Sequence, residues 1–278
     1  MFQQKKLIAK LPVQERVFWT EQLEKAERGE REAIYGLVQL CENNEWYTEK
    51  VFWLQQIDDE AEVQYELANC YFAGQGVEEN EQKALNYYKK AALQNHPDAA
   101  NNLADMYLNG EGVEVDKQLA FNWFMKAAQA GVVEAMFTLG IMYEQGLGTE
   151  ANEESAFHYY LSSANGGYVE ARYQVGMIYL EGLLGQPQNV KEAIEFFLLA
   201  AKEYHVDALF NLGYIFAEPQ YHIQDGAKAL HYFKQAALLG DAEAKWQLAK
   251  HYENGIIVAR DEHEAEKWRQ VANQELEG

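Results

Sequence analysis

The chain has 278 residues and a formal net charge of −21, with 44 acidic against 23 basic side chains. That balance argues against a nucleic-acid backbone or an anionic membrane surface as the main partner, since like charges repel. No stretch approaches the about 18 consecutive apolar residues of a membrane span. The opening MFQQKKLIAKLPVQER has neither a signal-peptide apolar run nor a small-residue cleavage site. The expectation is a cytoplasmic protein with no membrane insertion. Cys41 and Cys70 make no disulfide framework and read as reduced, partly buried thiols.

In chain order, Glu15–Arg28 predicts a helix with Val17, Phe18, Trp19, Leu23 and Ala26 at its apolar positions. Its end, Lys25–Gly29, aligns with Ala127–Gly131, so this is expected to be an orphan second helix that caps the start of a stack. Lys5, Lys6, Lys10, Arg16, Lys25, Arg28 and Arg31 make this end locally basic. A solvated cap face accounts for that, and a second contact site is the alternative. Ala33–Cys41 and Thr48–Ile57 then predict a short helical pair carrying Phe52, Trp53 and Leu54.

From there the chain repeats. AEVQYELANCYFAGQG (Ala61–Gly76), PDAANNLADMYLNGEG (Pro97–Gly112), VEAMFTLGIMYEQGLG (Val133–Gly148), VEARYQVGMIYLEG (Val169–Gly182), VDALFNLGYIF (Val206–Phe216) and AEAKWQLAKHYENG (Ala242–Gly255) share one pattern. Their equivalent positions Val63, Ala99, Ala135, Ala171, Ala208 and Ala244 are spaced 36, 36, 36, 37 and 36 residues apart. A fixed period of this size marks a repeat architecture whose hairpins must stack to bury their faces.

The second half of each unit opens at Ala84, Ala120, Ala156, Ala193, Ala229 and Ala265, with aromatic residues three and four positions on in most units. Small and large residues at that spacing share one helix face, where rings fill the gaps between layers. Each unit is therefore helix A, a Gly turn, helix B and a short turn. Glycine supplies the positive φ that ends helix A at Gly74, Gly110, Gly146 and Gly182. Pro219 stands where the sixth unit should have glycine and is expected to stop its helix A on a different exit path. The last helix, Glu262–Leu276, grows polar, as a C-terminal cap requires.

The pattern A-x-x-x-L-G-x-x-Y-x-x-G-x-G, then A-x-x-aromatic-aromatic-x-x-A-A, resembles the Sel-one-like repeat (SLR) family, a branch of the tetratricopeptide-type solenoids. In one unit alone Ala135, Leu139, Gly140, Tyr143, Gly146, Gly148, Ala156 and Tyr159 match, and the likeness covers Ala33–Gln274. Departures are the short first unit, Pro219, and the lack of the within-repeat cysteine pairs of some secreted members. The resemblance implies an all-α fold, a right-handed α/α superhelical solenoid whose A helices line a concave face. The expected division is a tail and capping helix over residues 1–32, then about seven repeats in one continuous domain: 33–62, 63–98, 99–134, 135–170, 171–207, 208–243 and 244–278.

Catalytic and cofactor signals are lacking. His96, His158, His205, His222, His231, His251 and His263 show no metal-ligand spacing. The Gly-x-Gly pairs end helices, whereas a phosphate site needs a helix start. A non-enzyme without cofactor is the expectation.

By analogy with tetratricopeptide hairpins, three rows of helix A should face the groove, counted from its first alanine position. At −1 stand Glu32, Glu62, Asp98, Glu134, Glu170, Asp207 and Glu243. At +2 stand Tyr35, Tyr65, Asn101, Phe137, Tyr173, Phe210 and Trp246; at +6, Gln39, Asn69, Asp105, Ile141, Met177, Tyr214 and Lys250. The first two rows also have purely structural readings: first-turn acids favour the helix dipole, and repeating rings pack between layers. The +6 row varies from polar to apolar, and an exposed apolar strip marks an interface.

The candidate partner-binding residues are Tyr65, Asn101, Asp105, Glu134, Phe137, Ile141, Glu170, Tyr173, Met177, Asp207, Phe210, Tyr214 and Trp246. Aromatic anchors among carboxylates suit a protein partner with basic and apolar surface. The expected function is a non-catalytic scaffold or adaptor. The alternatives are an immunity-type protein that neutralises a basic toxin or effector, a role the resemblance also allows, and a regulatory subunit of an enzyme.

Overall fold

The computed structural model describes residues 8–274, with the side chain of the last of these left aside. Lys5, Lys6 and the end of the last expected helix, Glu275 and Leu276, lie outside the described residues. Among the described residues there are fifteen α-helices and no strand. They are α1 (Val13–Glu27), α2 (Arg31–Asn43), α3 (Tyr47–Leu54), α4 (Ala61–Ala73), α5 (Glu81–Leu93), α6 (Pro97–Asn109), α7 (Lys117–Gln129) and α8 (Val133–Gln145). After them come α9 (Glu153–Asn165), α10 (Val169–Glu181), α11 (Val190–Ala201), α12 (Val206–Ala217), α13 (Gly226–Leu238), α14 (Ala242–Asn254) and α15 (Glu262–Gln274). A 3-10 turn at Pro219–Tyr221 follows α12, where proline was expected to end helix A.

The helices are short, and their ends are specified by chemistry at repeating positions. Asn80, Asp116, Asn152, Asn189 and Asp225 each cap a B helix by accepting a hydrogen bond from the backbone N–H three residues on. Their own N–H groups donate to the carbonyls of Tyr71, Tyr107, Tyr143, Tyr179 and Phe216 on the preceding A helix. The same residue thus closes the turn and starts the next helix.

Two glycine positions are forced by close approach. Gly76, Gly112 and Gly148 have positive φ, and a Cβ there would lie 2.0–2.8 Å from the backbone or side chain at the start of the previous B helix, at Tyr47, Glu81 and Lys117 respectively. Inside helices, a Cβ at Gly140, Gly176 or Gly213 would lie 2.6–2.7 Å from the ring of Tyr160, Phe197 or Phe233. The Leu-Gly pair of the repeat is therefore a seat for the ring of helix B.

The chain gathers into two compact units, one of Met1–Ala135 with Leu147–Thr149, the other of Met136–Gly146 with Glu150–Gly278. In the first unit α2 packs on α3, α4 on α5 and α6 on α7, and a shared core holds Leu23, Leu37, Leu54, Val63 and Leu67, each 3% exposed or less. Cys41 and Cys70 are buried there and unbridged. Burial pushes the Cys41 thiol up to about 12 and moves Cys70 the same way, so both stay protonated and unreactive at neutral pH. On α1, Leu23 and Ala26 are buried and Trp19 half-buried, while Val17 and Phe18, expected on its apolar positions, are exposed.

The second unit packs α10 on α11, α12 on α13 and α14 on α15. Its core is a file of alternating small and large residues: Ala156 with Tyr160, Ala193 with Phe197, Ala229 with Phe233, all at most 1% exposed. Burial of each such ring contributes about 2 kcal/mol.

Candidate functional site

The acidic row at the start of the A helices is solvent-exposed throughout, including Glu134, Glu170 and Asp207. Two members meet a histidine of the next repeat. The Nε2 atoms of His96 and His205 lie 3.2 Å from the carboxylates of Glu62 and Glu170. Their Nδ1 atoms accept the backbone N–H of Ala99 and Ala208, so each imidazole caps the next A helix and carries its proton on Nε2, toward the acid. Sequence reading missed this, because histidine is not among the favoured cap residues. Its signal was the recurrence of His96 and His205 at the same register position.

The same two rings lie over aromatic residues of the +2 row: Tyr65 stacks on His96 at 4.4 Å and Tyr173 on His205 at 4.6 Å. Phe137 stands 5.5 Å from Tyr160 and 5.3 Å from Tyr168, and Phe210 stands 5.7 Å from Phe233. These four rings are half-buried and serve the layer packing; Trp246, 38% exposed, does not share that burial.

The +6 row keeps partial exposure in five A helices, at Asn69, Asp105, Ile141, Met177 and Tyr214. Its neighbours Leu67, Leu103, Leu139, Val175 and Leu212 are fully buried. In the second unit Ile141, Met177 and Tyr214 lean on the core edge, and Asn211 Nδ2 approaches Met177 Sδ at 3.7 Å.

In the first unit the row opens on two cavities. One, of about 350 Å³, is lined by Val38, Gln39, Glu42, Lys50, Glu66, Asn69, Cys70 and Gln75. Lys50 Nζ enters it, pairing with Glu42 and, at 3.2 Å, with Glu66. Burial works against the Lys50 charge, and the two carboxylates outweigh it, so its ammonium holds its proton more tightly than usual.

The other cavity, of about 340 Å³, is lined by Asn69, Phe72, Ala73, Tyr88, Asn102, Asp105, Met106 and Glu111. Tyr88 donates to Asn69 Oδ1 at 2.6 Å, and Asn101 Nδ2 donates to Asp105 Oδ2 at 3.1 Å. Burial, reinforced by the charge of Glu111 and opposed by Asn101, raises the Asp105 carboxyl to about 6. Burial likewise raises the Tyr88 phenol to about 12. Of this cavity, sequence reading had named Asp105 as a candidate and had placed Asn69 on the inward row. Among the described residues no group of three or more His, Cys, Asp or Glu side chains could hold a metal ion. No described helix is long and apolar enough to cross a membrane.

A family profile for the Sel1 repeat matches residues 61–96, 97–132, 133–168, 169–205, 206–241 and 242–270. The chain belongs to the Sel1 repeat family. The six matched repeats have the period read from the sequence; the expected short unit over 33–62 lies outside them except for its last two residues, although α2 and α3 pack as a hairpin. A crystal structure of a protective antigen present in uropathogenic Escherichia coli strains, displaying an SLR fold, is 27% identical with a TM-score of 0.83. That likeness covers 91% of this chain, which spans 56% of the antigen. A Sel1 repeat protein from Oxalobacter formigenes is 28% identical with a TM-score of 0.73, over 86% of this chain and 99% of that one. An immunity protein from Pseudomonas aeruginosa reaches 20% identity and a TM-score of 0.43, over 77% of this chain and 81% of that one, too distant to inform function. Among curated proteins no relative matches. The fold is thus the all-α Sel1-type solenoid, a class that generally serves as a protein-interaction scaffold.

Proposed function

We propose that this protein is a non-catalytic scaffold that holds a protein partner on the exposed edges of its A helices. The observation that carries the reading is the +6 row: five half-exposed side chains, Asn69, Asp105, Ile141, Met177 and Tyr214, beside positions that are fully buried. A half-exposed slot can lean on the core edge and still present its outer atoms to a partner. In the first unit the candidates Asn101, Asp105 and Glu134 offer acids and an amide beside the ring of Tyr65. In the second, Phe137, Ile141, Glu170, Tyr173, Met177, Asp207, Phe210, Tyr214 and Trp246 offer apolar surface edged by acids. A partner with basic and apolar features complements both. A basic toxin or effector fits that description on charge alone.

The test is affinity capture from native-type lysate with wild type against Ile141→Ser/Met177→Ser/Tyr214→Ser, which spares the ring stacks of Tyr173 and Phe210. A specific partner held by wild type, weakened by added salt and lost by a variant that still melts cooperatively is the expected result. A partner retained by the variant would place binding elsewhere.

A further inference from the structure

The two cavities of the first unit lie at the same register one repeat apart, with their acids at different positions: Glu42 and Glu66, which hold Lys50 in one, align with Phe72 and Asn102 in the other. Gln39, Glu42, Glu66, Asn69, Cys70 and Gln75 of one occupy the register positions of Asn69, Phe72, Asn102, Asp105, Met106 and Glu111 of the other. In the first, the chain supplies its own occupant: the Lys50 side chain, 11% exposed, ends between two carboxylates. In the second, the B helix provides the ring of Tyr88 in the lining, whose hydroxyl is engaged with Asn69, and no basic side chain lines the cavity. Two carboxylates, Asp105 and Glu111, therefore share a half-buried hollow, and among the described residues both accept from neutral amides, Asp105 from Asn101 at 3.1 Å and Glu111 from Asn109 at 3.4 Å.

We propose that this second cavity is a pocket for a cationic side chain of the protein partner, an arginine. The shape suits that residue: Phe72, Ala73 and Met106 give an apolar wall for a methylene stem. Beyond it, the carboxylates of Asp105 and Glu111 present acceptors to a guanidinium, which carries five donors in a fixed plane. The exposed ring of Phe72 adds a face that a guanidinium can lie against. A bound cation also offsets the repulsion between Asp105 and Glu111. This assignment rests on the scaffold reading and gives it a partner chemistry in the first unit.

The test uses the full chain with carboxyl-13C aspartate, titrated with Ac-Gly-Arg-Gly-NH2 and with its uncharged citrulline counterpart. Asp105, assigned by the resonance missing in Asp105→Asn, should respond saturably to the arginine peptide, and its titration midpoint should move down. Glu111→Gln should weaken that response by about tenfold. An Asp105 resonance unmoved by the arginine peptide, or moved equally by the citrulline peptide, overturns the pocket; so does undiminished binding by Glu111→Gln. Both variants remove charge from a repelling pair, so neither threatens folding. If a partner is captured through Ile141, Met177 and Tyr214 while Asp105 stays silent, the pocket fails and the scaffold stands. If the peptide binds and no partner is captured, the pocket stands and the scaffold fails.

Discussion

The two units apply one register rule to opposite chemistry. At the +6 position the first unit carries Gln39, Asn69 and Asp105, and the second carries Ile141, Met177, Tyr214 and the exposed Lys250. The surrounding frame barely changes: alanine at the start of helix A, an aliphatic residue four positions on, an aromatic ring of helix B behind it. A slot that takes carboxylate, amide, thioether and phenol on a constant frame is only loosely constrained by packing, even though Ile141, Met177 and Tyr214 lean on the core edge. Within the first unit the contrast is finer, because one cavity holds Lys50 and its counterpart holds two acids without a base.

The largest expected effect tests that finer contrast. Lys50→Met leaves Glu42 and Glu66 facing each other with no cation, and should lower stability by about 2–3 kcal/mol in chemical denaturation. An unchanged midpoint would mean that the carboxylates escape to solvent and the cavities are not comparable.

Asp105→Asn should act in the opposite direction. Its carboxyl titrates near 6 in the folded chain and near the ordinary value of about 3.9 in the unfolded one, so the folded state binds the extra proton between those values. Stability contributed by protonated Asp105 is present at acid pH and lost as pH rises from about 4 to about 6. Removing the ionisable group should raise stability at neutral pH by about 1–2 kcal/mol and flatten that part of the pH profile.

The second unit should show the reverse pH trend through His251, which is buried, stacked on Phe233 and held below its ordinary pKa by burial and then by Lys250. The unfolded chain takes up the proton more readily, so stability is present above about 6.5 and lost as pH falls below it. His251→Asn should remove that acid-side loss in thermal melts followed against pH, without altering the Asp105 window. The smallest effect belongs to the +6 row of the second unit: Met177→Gln should cost less than about 1 kcal/mol, since the side chain is half-exposed. A loss well above that would return Met177 to the core and remove it from the binding face.

Much of the fold was legible because the information is local. Ala135, Leu139, Gly140, Tyr143 and the glycines of the turns repeat at helical spacing, and each acts through its own hairpin or the next one. Pro219 announced its break by register alone. Other features were invisible in that pattern. Lys50 sits in the irregular pair α2–α3, where no repeat position forecasts a buried base. His96 and Glu62 are 34 residues apart, and their meeting depends on how one hairpin lies on the next. Tyr65 and Tyr173 were read with two possible roles, and the stacking on His96 and His205 shows that layer packing takes up most of each ring.

The sequence by itself determined the repeat, its period, its helix ends and the small-large alternation of its core, because those follow from spacings of three, four and eight residues along one helix. Only the tertiary structure decided which side chains of neighbouring repeats converge on a cavity, and that one cavity holds its own lysine while the next holds a pair of carboxylates. Those groupings draw side chains from neighbouring hairpins, and they are set by the angle at which one hairpin rests on another, a quantity that periodicity does not encode.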